Sequence, residues 1–157
     1  MQTNNRPLYI FDIDGTLCNI EHRLHFLQRK DWDGFYKACI HDTPNKPVID
    51  VLSALLRTGA EVWLFSGRSE DVREETIRWI HYNTYFATIE FLENPALLTM
   101  RPSKDYTEDH LLKESWLLNM LDVDRQRLVG VFDDRKRVVD MWRLHGVTCF
   151  QVAPGEF

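Results

Sequence analysis

Long apolar runs are missing from this chain. No hydrophobic stretch approaches the roughly 20 residues that a membrane-spanning helix needs, and the N-terminus MQTNNRPLYIF holds no apolar segment of the secretory kind. Cysteine is scarce as well: Cys18, Cys39 and Cys149 are odd in number and lack C-x-x-C spacing, which predicts a reduced, soluble, cytoplasmic protein without a cysteine metal site. There is no surplus of positive charge either. The 19 basic residues face 24 acidic ones and leave −5, so coating long nucleic acid is disfavoured, while gripping one terminal phosphate is not. Repeats and low-complexity tracts are absent. At 157 residues, 44% of them hydrophobic, the chain is predicted to form one domain with a substantial core.

The stretch that is present and organises the rest is LYIFDIDGTL, Leu8 to Leu17. Leu8–Phe11 reads as a buried strand of a parallel sheet, broken at once by Asp12, Ile13, Asp14, Gly15 and Thr16. Two carboxylates at a strand's exit are costly unless something positive meets them. Residues 18–46 follow, rich in His, Arg and aromatics, and predict a small helical flap with helices near Glu21–Arg29 and Trp32–Cys39. From Pro47 the set Val48, Val51, Leu52 and Leu55 keeps helical spacing up to Thr58-Gly59.

A second strand, Val62–Phe65, ends at Ser66-Gly67-Arg68, and Ser69 opens a helix to about Tyr82. A third strand is placed near Leu97–Met100, and a helix from Thr107 carries Leu111, Leu112, Trp116, Leu117, Met120 and Leu121. Leu128–Phe132 is a strand ending at Asp133-Asp134; a helix with Val138, Val139, Met141 and Trp142 leads to a last strand, Thr148–Val152. Strands alternating with helices predict an α/β fold, a doubly wound, Rossmann-like parallel sheet.

In such a sheet the strand ends share one edge, so Asp12/Asp14, Ser66/Arg68 and Asp133/Asp134 converge. Lys113 leans toward its helix N-terminus and so toward the same edge. Carboxylates this close repel by roughly 4 kcal/mol per pair at an effective dielectric near 20. Arg68 and Lys113 do not offset that comfortably, whereas a hard divalent cation does, and Mg²⁺ suits carboxylate and phosphate oxygens. Read singly, each piece has a plainer use: a capped turn, a surface charge, a helix start. Gly15 directly after Asp14 and a strand does not fit the sixth-position glycine of an EF-hand loop.

FDIDGTL, SGR, a downstream helix lysine and FDDR, in this order, resemble the four motifs of haloacid dehalogenase (HAD) superfamily phosphatases. More narrowly, RPSKDYTEDHLLKES, DDRKRVVDMWRLHGV and CFQVAPGEF make the chain similar to the 3′-phosphatase domain of phage polynucleotide kinase/phosphatase over nearly its whole length. The resemblance implies a HAD-like fold over 1–157 with a flap insertion at about 18–46. It implies Asp12 as nucleophile, Asp14 as general acid/base, and Ser66 and Lys113 holding the transferring phosphoryl group. Mg²⁺ would lie on Asp12, Asp14 (through its carbonyl) and Asp134, with Asp133 beside them.

Arg23, eleven residues after Asp12, and Arg68 would grip substrate, with Gly67 and Thr16 in the same group. The implied reaction is Mg²⁺-dependent removal of 3′-phosphate from DNA or RNA ends through an aspartyl-phosphate, a nucleic acid repair step. Trp32, Phe35 or Tyr36 would stack a base or pack the flap. A G-x-x-x-x-G-K-[ST] loop is absent, so a stand-alone phosphatase is expected. The alternatives are a nucleotidase for free mononucleotides, a non-catalytic phosphate- or nucleic-acid-binding module, and a structural partner in a repair complex.

Overall fold

A computed structural model describes residues 4–86 and 88–155, apart from the side chains at 88, 89 and 92. Glu156 and Phe157, the last residues of the CFQVAPGEF segment, lie outside the described residues. The elements run β1 (Leu8–Phe11), β2 (Cys18–Asn19), α1 (Leu24–Gln28), α2 (Trp32–Lys37), β3 (Thr43–Pro44), α3 (Lys46–Arg57), β4 (Glu61–Ser69), α4 (Arg73–Asn83), α5 (Thr88–Glu93), β5 (Leu98–Arg101), α6 (Asp109–Asn119), α7 (Asp122–Gln126), β6 (Leu128–Asp133), α8 (Lys136–Leu144) and β7 (Cys149–Gln151).

Five strands form one parallel sheet in the order β5-β4-β1-β6-β7. The chain winds outward from β1 in both directions, the arrangement that leaves a crevice beyond the strand ends at the switch point. Leu8, Ile10, Phe11, Val62, Leu64 and Phe65 are buried on these central strands, as continuous apolar runs in a sheet covered on both faces should be. Phe11 stacks on Phe132 at 4.3 Å, and Phe132 on Phe150 at 4.8 Å. This ladder ties β1, β6 and β7 together at about 0.5–1.5 kcal/mol per pair.

α3 and α6 put most of their expected stripes against the core, with Val48, Leu52 and Leu55 on α3 and Leu112, Trp116, Leu117 and Met120 in and just after α6. On α3 the core takes Ile49 and Leu52, while Val51 is exposed. On α6 the buried stripe is Leu112, Lys113 and Leu117, with Leu111 and Leu121 outside it. Lys113 occupies a buried place on α6 because its ammonium has partners at the sheet edge. The short helices α5 and α7 were not foreseen from periodicity, which needs more than the six and five residues they contain. The helices expected near Glu21–Arg29 and Trp32–Cys39 are present as α1, α2 and flanking 3₁₀ turns, and the antiparallel β2–β3 pair joins the two ends of this segment. Among the described residues no helix is long and apolar enough to cross a membrane.

β4 extends past its expected end at Phe65 to Ser69. Ser66 pairs with Met100 and Ser69 with Arg101, so Gly67 and Arg68 bulge out of the ladder. Bulges re-aim side chains beside sites, and this one turns Arg68 into the interior.

Candidate active site

Asp12 continues β1 by one residue, its N–H bonded to the carbonyl of Phe132 at 2.9 Å. One carboxylate oxygen, Oδ1, accepts from Lys113 Nζ at 2.7 Å, and Oδ2 accepts from Thr16 Oγ1 at 3.2 Å. Lys113 Nζ also donates to Asp133 Oδ2 at 2.8 Å and lies 3.6 Å from Asp109 Oδ2, one turn earlier on α6. Asp133 spends its other oxygen on the N–H of Arg135 at 3.1 Å. Asp134 packs against Gly15, whose φ of +81° and bare α-carbon are both needed, since a Cβ there would meet Asp134 Oδ2 at 2.2 Å.

Oxygens of Asp12, Asp133 and Asp134 lie within 4.8 Å of one another. Burial drives the Asp12 carboxyl well above its usual range, and the charges of Asp133, Asp134 and Asp109 push the same way against Lys113. Burial and then Asp133 lift Asp134 to about 6, and burial raises Asp133 despite Lys113. Burial works against the Lys113 ammonium, yet Asp109, Asp12 and Asp133 hold its pKa high. Asp109 also meets Arg101 at 3.3 Å and Arg135 at 3.8 Å, so Lys113 is the ammonium that Asp12, Asp133 and Asp134 share, and these three are left short of positive charge. The donor set fits a hard divalent cation, with Asp134 the carboxylate least engaged elsewhere.

A second cluster lies beneath Asp14. Its Oδ1 accepts from Arg68 Nε at 2.8 Å and from an Arg23 terminal nitrogen at 2.7 Å. Both arginines also reach Asp42, Arg23 through Nε at 2.8 Å and Arg68 through a terminal nitrogen at 2.7 Å. His22 Nε2 meets Asp42 Oδ1 at 2.7 Å, and the Cys18 thiol donates to Asp42 Oδ2 at 3.3 Å. Burial alone would raise Asp14, but Arg68 and Arg23 outweigh it and bring the carboxyl down to about 2.

Several of the expected site residues lie beneath the cleft. Arg23 and Arg68, expected to grip a substrate phosphate, are fully buried with their guanidinium groups on Asp14 and Asp42. Buried guanidinium ions stay only where carboxylates neutralise them, and these two brace Asp14 instead of facing the cleft. Ser66, expected on the phosphoryl group, is fully buried, with its Oγ accepting the Arg68 N–H at 3.2 Å across the bulge. Thr16 is likewise buried and serves Asp12. Gly67 does line the cleft, where a Cβ would meet Asp109 Oδ1 at 2.3 Å.

Three residues escaped the sequence reading. Asp109 stands four positions before Lys113, a spacing that signals a shared helix face. Asp42 carried no signal beyond lying in the flap. Arg101, at the end of β5, donates to the carbonyls of Gly67, Asp105 and Thr107 and to Asp109 Oδ1. Asp12, Asp14, Asp133 and Asp134 open onto a cleft of about 1220 Å³, walled by α2, the 102–108 loop and the segment at Ala153-Pro154. A smaller cavity of about 300 Å³, between Leu117, Leu128 and Val147, contains no comparable cluster.

The sequence profile of the polynucleotide kinase PNKP phosphatase domain matches residues 6–157. The chain belongs to this family and is a phosphatase of the HAD superfamily. A putative bifunctional polynucleotide kinase/RNA ligase of Autographa californica nuclear polyhedrosis virus is 30% identical over 148 residues, 91% of this chain and 20% of that protein. A solved chain of the Pnkp1/Rnl/Hen1 RNA repair complex is 31% identical with a TM-score of 0.73, over all of this chain and 46% of that one. The chain thus spans a fifth of the viral protein and about half of the solved one. The class C acid phosphatase of Bacillus anthracis, 14% identical with a TM-score of 0.61 over 99% of this chain and 69% of that one, shares the fold.

Proposed function

We propose that this domain removes phosphate from the 3′-phosphorylated ends of DNA or RNA, with Asp12 as the nucleophile. The observation that carries the reading is the fixed Asp12 carboxylate, held by Lys113 Nζ at 2.7 Å and Thr16 Oγ1 at 3.2 Å where β1 meets the cleft. A nucleophile locked by two donors has little rotational freedom left to lose before in-line attack. Attack on phosphorus forms an aspartyl-phosphate as the bond to the 3′-oxygen breaks. Lys113, itself steadied by Asp133 and Asp109, keeps Asp12 oriented throughout.

Asp14 handles the proton. Its ionised carboxylate, braced by Arg23 and Arg68, suits the second step, in which it takes a proton from the water that hydrolyses the intermediate. An incoming phosphate adds negative charge beside Asp14 and favours its protonated form, the form that gives a proton to the leaving oxygen. A divalent cation, Mg²⁺ in this reading, would be held by Asp12, Asp134 and the Asp14 carbonyl, and when bound supplies positive charge to the phosphoryl oxygens.

Family membership and relatives described as polynucleotide kinase/RNA ligase and as part of an RNA repair complex support a nucleic acid end as substrate. The test is phosphate release from one oligonucleotide carrying its phosphate at the 3′ or the 5′ end, with Mg²⁺ or with EDTA. Release from the 3′ form with Mg²⁺ alone is the expected result. Equal release from both ends, or release undiminished by EDTA, overturns the reading.

A further inference from the structure

Resting on the 3′-end reading above, we propose that the terminal nucleoside is held by its base, stacked on Trp32 and Tyr106, and that neighbouring phosphates contribute little to binding. Trp32, Phe35, Tyr36 and Tyr106 all line the catalytic cleft. Phe35 is buried beneath the Arg23 guanidinium, 4.3 Å from its ring centroid, and the Tyr36 side chain is hydrogen-bonded to Arg101. Trp32 and Tyr106 remain open, at 49% and 80% exposure. The cleft volume of about 1220 Å³ is ample for a nucleotide, well beyond what a phosphate group fills.

Both rings are mounted on built supports. Trp32 opens α2 behind the Asp31 cap and is backed by Phe35 and Tyr36, each 6.3 Å away between centroids. Tyr106 sits between the two carbonyls, Asp105 and Thr107, that Arg101 clamps, and Asp105 Oδ1 takes the Thr107 N–H at 2.8 Å. The same arginine meets Asp109 and Tyr36, so the base platform and the catalytic cluster share one anchor.

The charge around the rings disfavours any other grip. Glu21, Asp33, Asp71, Glu75, Asp105 and Glu108 line the cleft alongside Lys37, Arg101, Lys104 and Arg135; Lys37 is paired with Asp33 at 2.8 Å, and Arg101 and Arg135 reach Asp109 at 3.3 and 3.8 Å. A second or third phosphate would meet more carboxylates than cations. Stacking, worth about 1–3 kcal/mol per base and blind to phosphate charge, is the contact these walls offer.

The experiment compares a 3′-phosphorylated trinucleotide with the same molecule lacking its terminal base, on the wild type and on Trp32→Ala and Tyr106→Ala. The base-bearing substrate should have kcat/KM about tenfold higher on the wild type, and each substitution should remove about tenfold on it while sparing the abasic one. Lengthening the substrate to ten nucleotides should change kcat/KM little, with a shallow salt dependence. Equal losses on both substrates, no base preference, or a steep gain with length overturn the proposal.

Binding is read separately by tryptophan fluorescence quenching of Asp12→Asn with the same trinucleotides, with Asp12→Asn/Trp32→Phe as the control for the reporting ring. Tighter binding of the base-bearing form, its quench lost in the control, supports the subsite even if no 3′-phosphate is ever released, an outcome that sinks the 3′-end reading alone. Equal affinities sink the subsite even if 3′-phosphatase activity stands.

Discussion

Lys113 Nζ stands 2.7 Å from Asp12 Oδ1, although 101 positions separate the two residues. The contact joins the first strand to α6 and is buried on both sides. Lys113→Met should lower kcat/KM by about 10²–10³-fold, the scale of losing one preorganised charge donor, because Asp12 then loses the ammonium that orients it. Steady-state kinetics on an aryl phosphate measures this, with circular dichroism reporting retention of the fold. Near wild-type turnover would remove Lys113 from the mechanism.

Asp42 neutralises two buried guanidinium groups without touching the cleft. Asp42→Asn keeps the shape but leaves Arg23 and Arg68 to share Asp14, so a loss of about 3–5 kcal/mol in unfolding free energy is expected. Urea denaturation followed by tryptophan fluorescence measures it. A change under about 1 kcal/mol would mean that water reaches the arginines.

Gly15→Ala meets a double obstacle, a φ of +81° and an Asp134 oxygen 2.2 Å from the new methyl. About 1–3 kcal/mol of destabilisation is expected from the backbone alone. Displacing Asp134 should also raise the Mg²⁺ concentration needed for half-maximal rate. Thermal unfolding and a Mg²⁺ titration measure the two effects independently.

Glu61 at the start of β4 accepts from Arg127, Trp63, Asn4 and Arg6 at 2.6–3.1 Å. Burial alone would raise its pKa, but the hydrogen bonds from Arg127, Trp63 and Asn4 outweigh that and hold it below its ordinary 4.5. A carboxyl depressed on folding contributes stability above its unfolded pKa, and that contribution is lost as pH falls through 4.5 toward the folded value. Glu61→Gln should therefore lower Tm at pH 7 and flatten its fall between pH 5 and 3.5. An unchanged pH slope would assign the acid sensitivity elsewhere.

What was legible in the sequence were the features set by local pattern. The apolar run of β1 followed by Asp12 and Asp14 announced a strand end, and the Asp133-Asp134 pair after Leu128–Phe132 did the same. Lys113 could be aimed because side-chain lean on a helix is a rule of geometry. Partnership was not legible. Nothing in residues 18–46 tells that Asp42 will claim Arg23 and Arg68, so the bonds that tie both arginines to Asp14 have no signature in the sequence. Arg101 was invisible because its targets are mostly backbone carbonyls, whose placement depends on the β4 bulge and the 102–108 loop.

The account turns on Asp12 carrying the phosphoryl group, and trapping tests it most directly. Asp14→Asn is mixed with Mg²⁺ and an aryl phosphate, whose leaving group needs no proton, then quenched in acid and digested for peptide mass spectrometry. The account predicts a phosphoryl adduct on the peptide containing Asp12 that forms faster than it decays. A phosphate on any other residue, or Asp12→Asn turning over like the wild type while folded, would contradict it.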